Sequence, residues 1–298
     1  MAKKEVKNIG LSVRAKLLTL SKERNIDFNS ILIQYFHERF LYRLSTSDYR
    51  NNFILKGALC FLAYDISRLR PTKDIDFLGK ATANDLENIK KIMQTVTSIE
   101  VADGVIFNPK NITVERIKED ADYEGVRVKV ESNLASVKIR IQLDIGFGDI
   151  VVAGPNDIYF PVLLGFPVPH ISVYSRESMI AEKFQAIVYL NYTTSRLKDF
   201  YDIIFLAQSF EFELSTLKEA IKQTFSKRNT PLDGRKLVFS NEFKTNQDKQ
   251  DMWLAFLKRV KIESNLNFSD TMGKICDFLD PVFTKEKGIW NPKPWSWE

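Results

Sequence analysis

Asp74 and Asp76 are separated by a single residue and sit among the bulky apolar Ile75, Phe77 and Leu78. This pattern predicts a short strand, in which residues i and i+2 project from one face, so both carboxylates point the same way. Neighbouring carboxylates repel each other, and the repulsion is relieved either by water at a solvated strand edge or by a cation held between them. Hard oxygen donors of this kind suit Mg²⁺, with Mn²⁺ as the alternative ion, and Mg²⁺ shares its coordination with substrate phosphates. Upstream, Lys56-Gly57-Ala58 breaks an apolar segment with a turn whose backbone N–H groups can cradle a phosphate.

A third carboxylate, Asp144, ends a run that begins at Lys138. Ile139, Ile141, Leu143 and Ile145 form one apolar face of this predicted strand and leave Lys138, Arg140, Gln142 and Asp144 on the other. Such a polar face lines either a site for phosphates and metal or open water. Further along, Lys183 falls in the middle of an apolar helical stripe made by Met179, Ile180, Ala186 and Ile187. An ammonium there snorkels outward or needs a partner. Asp199 and Asp202, at i and i+3 of the next helix, can receive a lysine or a metal. A glycine turn, a same-face carboxylate pair and a third carboxylate are the parts that nucleotidyl transfer needs, because positioning and charge neutralisation supply most of its catalysis.

Several elements must hold these residues in place. Helices are predicted from Ser12 to about Arg24 and from Asn29 to Leu44, the second with Ile33, Phe36, His37, Phe40 and Leu44 on one stripe, which makes His37 a packing residue. Arg39, Arg43 and Arg50 lie towards the end of that helix and in the next loop, available to a polyanion. Phe53 to Leu62 reads as strand, turn and helix, and Leu86 to Val96 as an amphipathic helix. Val105 and Phe107 followed by Ile112 and Val114 across Asn108-Pro109-Lys110-Asn111 suggest a hairpin, and Val126, Val128 and Val130 alternate with Arg127 and Lys129. Helices follow from Ser175 to Leu190 and from Ser195, and the pattern stays helical beyond residue 210. The polar stretch 229–250 reads as a loop or lid, and the proline-rich tail Trp290 to Trp297 as an extended segment packing its indoles on the body.

The chain has 298 residues, 44% hydrophobic and 27% charged, the composition of a globular protein large enough to bury a core. With no apolar run of membrane-spanning length and no signal-like start, it reads as cytoplasmic, without a membrane partner. Cys60 and Cys276 lie in apolar patterns and are expected as reduced cysteines. Residues 1–50 hold ten of the 43 Lys and Arg against five of the 38 Asp and Glu, so the whole positive excess is N-terminal. It fits either a solvated helical face or a phosphate-rich partner such as RNA.

Gly57-Ala58, Asp74-Ile-Asp76 and Asp144 resemble the signature of polymerase-β-type nucleotidyltransferases. The fuller set is similar to the AbiEii/AbiGii toxin family: Phe53-Ile-Leu-Lys-Gly57, Arg70-Pro-Thr72-Lys-Asp-Ile-Asp-Phe77, Gln142 to Asp149, Met179-Ile-Ala-Glu-Lys183 and Arg196-Leu-Lys-Asp199. The resemblance implies an α/β (α+β) fold, with a mixed β-sheet flanked by helices and then a helical bundle. It divides the chain into a nucleotidyltransferase domain at 1–165 and a mainly helical domain at 166–298 that completes the active site. It further implies an NTP substrate, Mg²⁺, a cognate antitoxin, and an RNA acceptor, expected to be the 3′ end of tRNA, whose modification stops translation. By this resemblance Asp74 and Asp76 hold metal, with Asp144 as the third carboxylate of the wider superfamily. Lys183 holds nucleotide phosphates and Asp199 is the essential acid of the last motif. Lys56, Gly57, Ala58, Arg70, Thr72 and Arg196 complete the expected nucleotide-binding set, with Lys138, Arg140 and Asp202 as secondary candidates. Ala58 stands where Gly or Ser is usual, so the backbone N–H is kept and a hydroxyl is absent. Two other readings are a silent NTP-binding module acting through a protein partner and transfer to a protein hydroxyl.

Overall fold

The computed structural model describes residues 8–66, 72–120, 123–260 and 266–298. Two compact units emerge, one of Met1–Gly148 with Asn156–Val173 and one of Asp149–Pro155 with Tyr174–Glu298.

The first unit opens with α1 (Ile9–Glu23) and α2 (Phe28–Ser45), whose first turns are capped by the Asn8 and Asp27 side chains. Asn8 caps α1 four residues ahead of the expected Ser12. The unit continues through β1 (Phe53–Lys56), α3 (Leu59–Ala63), β2 (Asp74–Gly79), α4 (Leu86–Thr97), β3 (Val105–Asp120), β4 (Tyr123–Leu134), β5 (Val137–Phe147), β6 (Asn156–Tyr159) and β7 (His170–Val173). These strands form one seven-stranded sheet in the order β3-β4-β5-β2-β1-β7-β6. It is mixed: β2 runs parallel to β5 and β1 to β7, while the other pairs are antiparallel.

Strand periodicity divides the sheet into two chemically distinct faces. Phe77, Leu143, Ile145, Val126 and Val128 are buried on one of them, where α2 packs Phe40 with its ring 6.5 Å from Phe77 and 6.0 Å from Phe107. Each such side chain contributes about 1.5–3 kcal/mol when taken fully out of water. The intervening residues, Asp74, Asp76, Gln142, Asp144 and Arg127, therefore share the opposite face.

The expected hairpin across Asn108–Asn111 does not form. β3 runs straight through it with a register shift between Phe107 and Ile112, and turns back only before β4. Pro109 is tolerated there because β3 is an edge strand, where a missing N–H breaks no ladder.

Arg39 and Arg43 are not offered to a polyanion either, being 0% and 2% exposed. Arg43 donates to both Asp103 oxygens at 2.7 and 3.2 Å and to the Ile99, Arg39 and Val105 carbonyls. Arg39 donates to the Pro167 carbonyl and lies over the Tyr42 and Phe166 rings. Arg50 keeps some exposure beside Asp157 and His170. A buried guanidinium is costly unless it is paired: Arg43 is paired in full, Arg39 only through Nη2 and the nearby Glu38 carboxylate at 3.6 Å, and both tie α2 to distant segments. His37 is buried, as a packing residue should be.

Glu38 is buried in the same cluster and accepts from the Leu163 N–H at 2.8 Å. Burial pushes its carboxyl up to about 8, against the opposing pull of Arg39. A carboxyl raised on folding contributes stability that is present below its ordinary pKa and lost as pH rises through about 8. Urea melts are thus expected to show stability falling by up to about 1.4 kcal/mol per pH unit across that window. Glu38→Gln should flatten the slope, and a variant that keeps the wild-type slope would show that another group is responsible.

The second unit comprises α5 (Arg176–Leu190), α6 (Leu197–Ser209), β8 (Phe212–Glu213), α7 (Leu214–Lys227), α8 (Arg235–Val238), α9 (Asn241–Lys244), α10 (Gln247–Val260), α11 (Phe268–Leu279), α12 (Pro281–Thr284), β9 (Ile289–Asn291) and β10 (Ser296–Trp297). Its core gathers aromatics, with Phe184 5.5 Å from both Phe225 and Phe239. Residues 229–250 are not a loop: they form α8, α9 and the start of α10, with Val238 and Phe243 fully buried. Two apolar anchors in a polar stretch were too sparse to show a helical period. The tail behaves as its prolines suggest, adding β9 and β10 to β8 as a three-stranded sheet. Trp290 and Trp297 donate their indole N–H groups to the Ala207 and Phe278 carbonyls at 2.8 Å. Cys60 and Cys276 are reduced cysteines, and the Cys60 thiol donates to the Leu55 carbonyl at 3.3 Å. Among the described residues no helix is long and apolar enough to cross a membrane.

Candidate active site

In the first unit, the sheet register lines up a row of charged residues across five strands. Lys56 of β1 pairs with Asp76 of β2, Asp76 with Asp144 of β5, Asp144 with Arg127 of β4, and Arg127 with Glu115 of β3. Residues in register lie roughly 5 Å apart on the same side of a sheet, so Asp76 and Asp144 are like-charged neighbours. Asp74 and Gln142 form the next row on that side. Asp74 and Asp76 are both partly exposed, in contrast to Ile75 and Phe77, which are buried between and after them.

Gly57 makes the close approach between turn and carboxylate possible. Its φ is +68°, a left-handed conformation that disfavours side chains, and a Cβ built there would lie 2.0 Å from Asp76 Oδ2. Ala58 adopts helical backbone angles and leads directly into α3. Lys56 is almost fully buried. The Thr72 hydroxyl donates to the Asp74 carbonyl at 3.4 Å, and Arg70 lies outside the described residues.

Asp144 is the residue whose surroundings the sequence least disclosed. Arg127 Nε donates to its Oδ1 and Nη2 to its Oδ2, both at 2.8 Å, while Gln142 Nε2 lies 3.2 Å from each oxygen. Arg127 was legible only as one cation in an alternating strand; its pairing depends on cross-strand register, which periodicity leaves open. Lys138 and Arg140 are exposed, and Arg140 pairs with Glu131 at 2.7 Å. Six and four residues along a strand place them roughly 20 and 13 Å from Asp144, so they do not join the carboxylates.

Asp74 and Asp76 fit a divalent cation: they are hard oxygen donors on the face away from the core, and the missing Cβ at Gly57 gives Asp76 its room. Asp144 does not fit, since both its oxygens are taken. Among the described residues, no group of three or more His, Cys, Asp or Glu could hold a metal ion.

The second unit holds the other cluster. Lys183 of α5 donates to Asp202 Oδ2 at 2.6 Å and to Asp199 Oδ1 at 3.4 Å, and Arg196 Nε donates to Asp199 Oδ2 at 2.6 Å. The lysine in the apolar stripe thus finds its partners on α6. Asp199 is buried, which alone would raise its pKa, yet Lys183 and Arg196 outweigh that and hold the carboxyl below its usual range. Beside this cluster lies a network the sequence did not reveal. Arg228 pairs with both Asp149 oxygens at 3.1 Å and donates to Gln185, while the Tyr174 hydroxyl donates to Glu182 at 2.7 Å. It fixes the turn of α5 that carries Lys183.

The profile of the family described as "Nucleotidyl transferase AbiEii toxin, Type IV TA system" matches residues 39–274. Among solved structures, JHP933 from Helicobacter pylori is similar at 17% identity, over 83% of this chain and 88% of that one, with a TM-score of 0.44. Another H. pylori protein, provisionally described as a nucleotidyltransferase, is similar at 18% identity over 87% and 96%, with a TM-score of 0.47. No curated protein matches the sequence. With its profile match spanning both the paired carboxylates and the Lys183–Asp199 cluster, the chain belongs to the AbiEii family of nucleotidyl transferase toxins of type IV toxin–antitoxin systems.

Proposed function

We propose that this nucleotidyltransferase moves an NMP group from an NTP to the terminal hydroxyl of an RNA, with the 3′ end of tRNA as the acceptor. The O3′–Pα bond forms, the Pα–O bond to the β-phosphate breaks, pyrophosphate leaves, and the hydroxyl proton is released. Support comes chiefly from the partly exposed Asp74–Asp76 pair set against the Gly57 turn on the polar sheet face. Bound there, a divalent cation would neutralise phosphate charge and polarise the α-phosphate. Asp74 and Asp76 would hold that cation, and the turn after Gly57 offers backbone N–H groups to the triphosphate tail.

Lys183 is proposed to hold nucleotide phosphates, exchanging its Asp202 contact for a phosphate oxygen, with Asp199 and Arg196 setting its position. A cognate antitoxin is the partner that a type IV system implies.

The test incubates the protein with α-labelled NTPs, Mg²⁺ or Mn²⁺, and total tRNA. Label is expected in RNA, and Lys183→Ala should cut kcat/KM for NTP by about 10²-fold. Label on protein alone would move the acceptor to a protein hydroxyl. NTP binding without label anywhere would leave a silent binding module.

A further inference from the structure

We propose that Arg127 and Asp144 form a charge-neutral clamp beside the reactive face, so that Asp144, although next to Asp76 in register, does not itself hold the divalent cation. This rests on reading Asp74 and Asp76 as the metal-facing pair.

Three observations carry it. Both Asp144 oxygens are satisfied by the parallel fork of Arg127, two bonds of 2.8 Å, with Gln142 closing the remaining side. The Asp144 side chain is only 12% exposed, so water cannot replace those bonds cheaply. Moving the carboxylate to a cation would break two charge-assisted hydrogen bonds and strand a guanidinium beside a divalent ion.

The row of charges gives the clamp a purpose. Asp76 and Asp144 are adjacent in register, and Asp74 stands one row away. Left bare, Asp144 would add a third negative charge to the pair and favour protonation of one of them. The Arg127 pKa is raised, first by its hydrogen bond to Asp144 and then by the charges of Asp144, Asp74 and Glu115, which outweigh desolvation. Its field therefore reaches beyond its bonded partner to Asp74. The clamp cancels Asp144 and ties β4 to β5, the strand against which β2 is registered.

The experiment titrates the full-length protein with Mn²⁺, following the free-ion electron paramagnetic resonance signal, for wild type, Arg127→Gln, the neutral pair Arg127→Gln/Asp144→Asn, and Asp76→Asn. Both Arg127 variants are expected to bind Mn²⁺ within about fivefold of wild type, less than the about 10–100-fold that outer-shell losses can reach at a metal centre. A larger loss in the neutral pair would make Asp144 a ligand and overturn the clamp. So would a larger gain in Arg127→Gln, the sign of a carboxylate set free to bind, which keeps the test decisive if the double variant fails to fold. Asp76→Asn unaltered in affinity would instead overturn the assignment of the metal-facing pair, a different failure.

Discussion

Asp76→Asn is expected to lower kcat for nucleotidyl transfer by on the order of 10³-fold or more while leaving the fold intact. The substitution keeps the shape and removes one charge from a partly exposed position that faces away from the packed side of the sheet. Phe77, its buried neighbour, is untouched, and so is the α2 ring contact behind it. Melting temperature should stay within a few degrees of wild type. Steady-state label transfer alongside a thermal melt checks both halves. Loss of activity through unfolding would be an uninformative cause, and an unchanged kcat would remove Asp76 from the chemistry.

Gly57→Ala is expected to damage activity and stability together. A methyl group at residue 57 would sit 2.0 Å from Asp76 Oδ2, 2.7 Å from its Cγ and 2.9 Å from its Cβ, so the carboxylate must swing or the turn must shift. Displacing a reacting group by about 1 Å costs on the order of 10²-fold in rate. The backbone adds its own penalty, since alanine at φ +68° costs about 1–2 kcal/mol. The contrast with Asp76→Asn is diagnostic, because only the glycine substitution should lower the urea midpoint as well as kcat. A Gly57→Ala protein with wild-type kcat would show that the turn does not set the carboxylate.

Local pattern disclosed much of this site. Two-residue alternation placed Asp74 with Asp76 and separated the polar and apolar faces of β5, because a half-buried strand must segregate its side chains. The 3.6-residue period exposed Lys183 as a cation in an apolar stripe, and Asp199 and Asp202 as the partners it needed. What stayed hidden depends on contacts between distant segments. Arg39 and Arg43 looked like surface cations because Asp103, the carboxylate that satisfies Arg43, lies 60 residues away in sequence. Arg127 and Asp144 both stood in readable strands, but only the register between β4 and β5 makes them a pair. At Asn108–Asn111, turn-forming residues were read as a turn although the edge of a sheet can absorb them as a bulge.

Nucleotidyl transfer is expected to depend on the carboxylates beside the Gly57 turn. The most direct test of that dependence is label transfer from α-labelled NTP to total tRNA in the presence of Mg²⁺, comparing wild type with Asp74→Asn/Asp76→Asn at matched protein concentration and folded fraction. Labelled RNA is expected with wild type and none above background with the double variant. Equal labelling by the two proteins would contradict it.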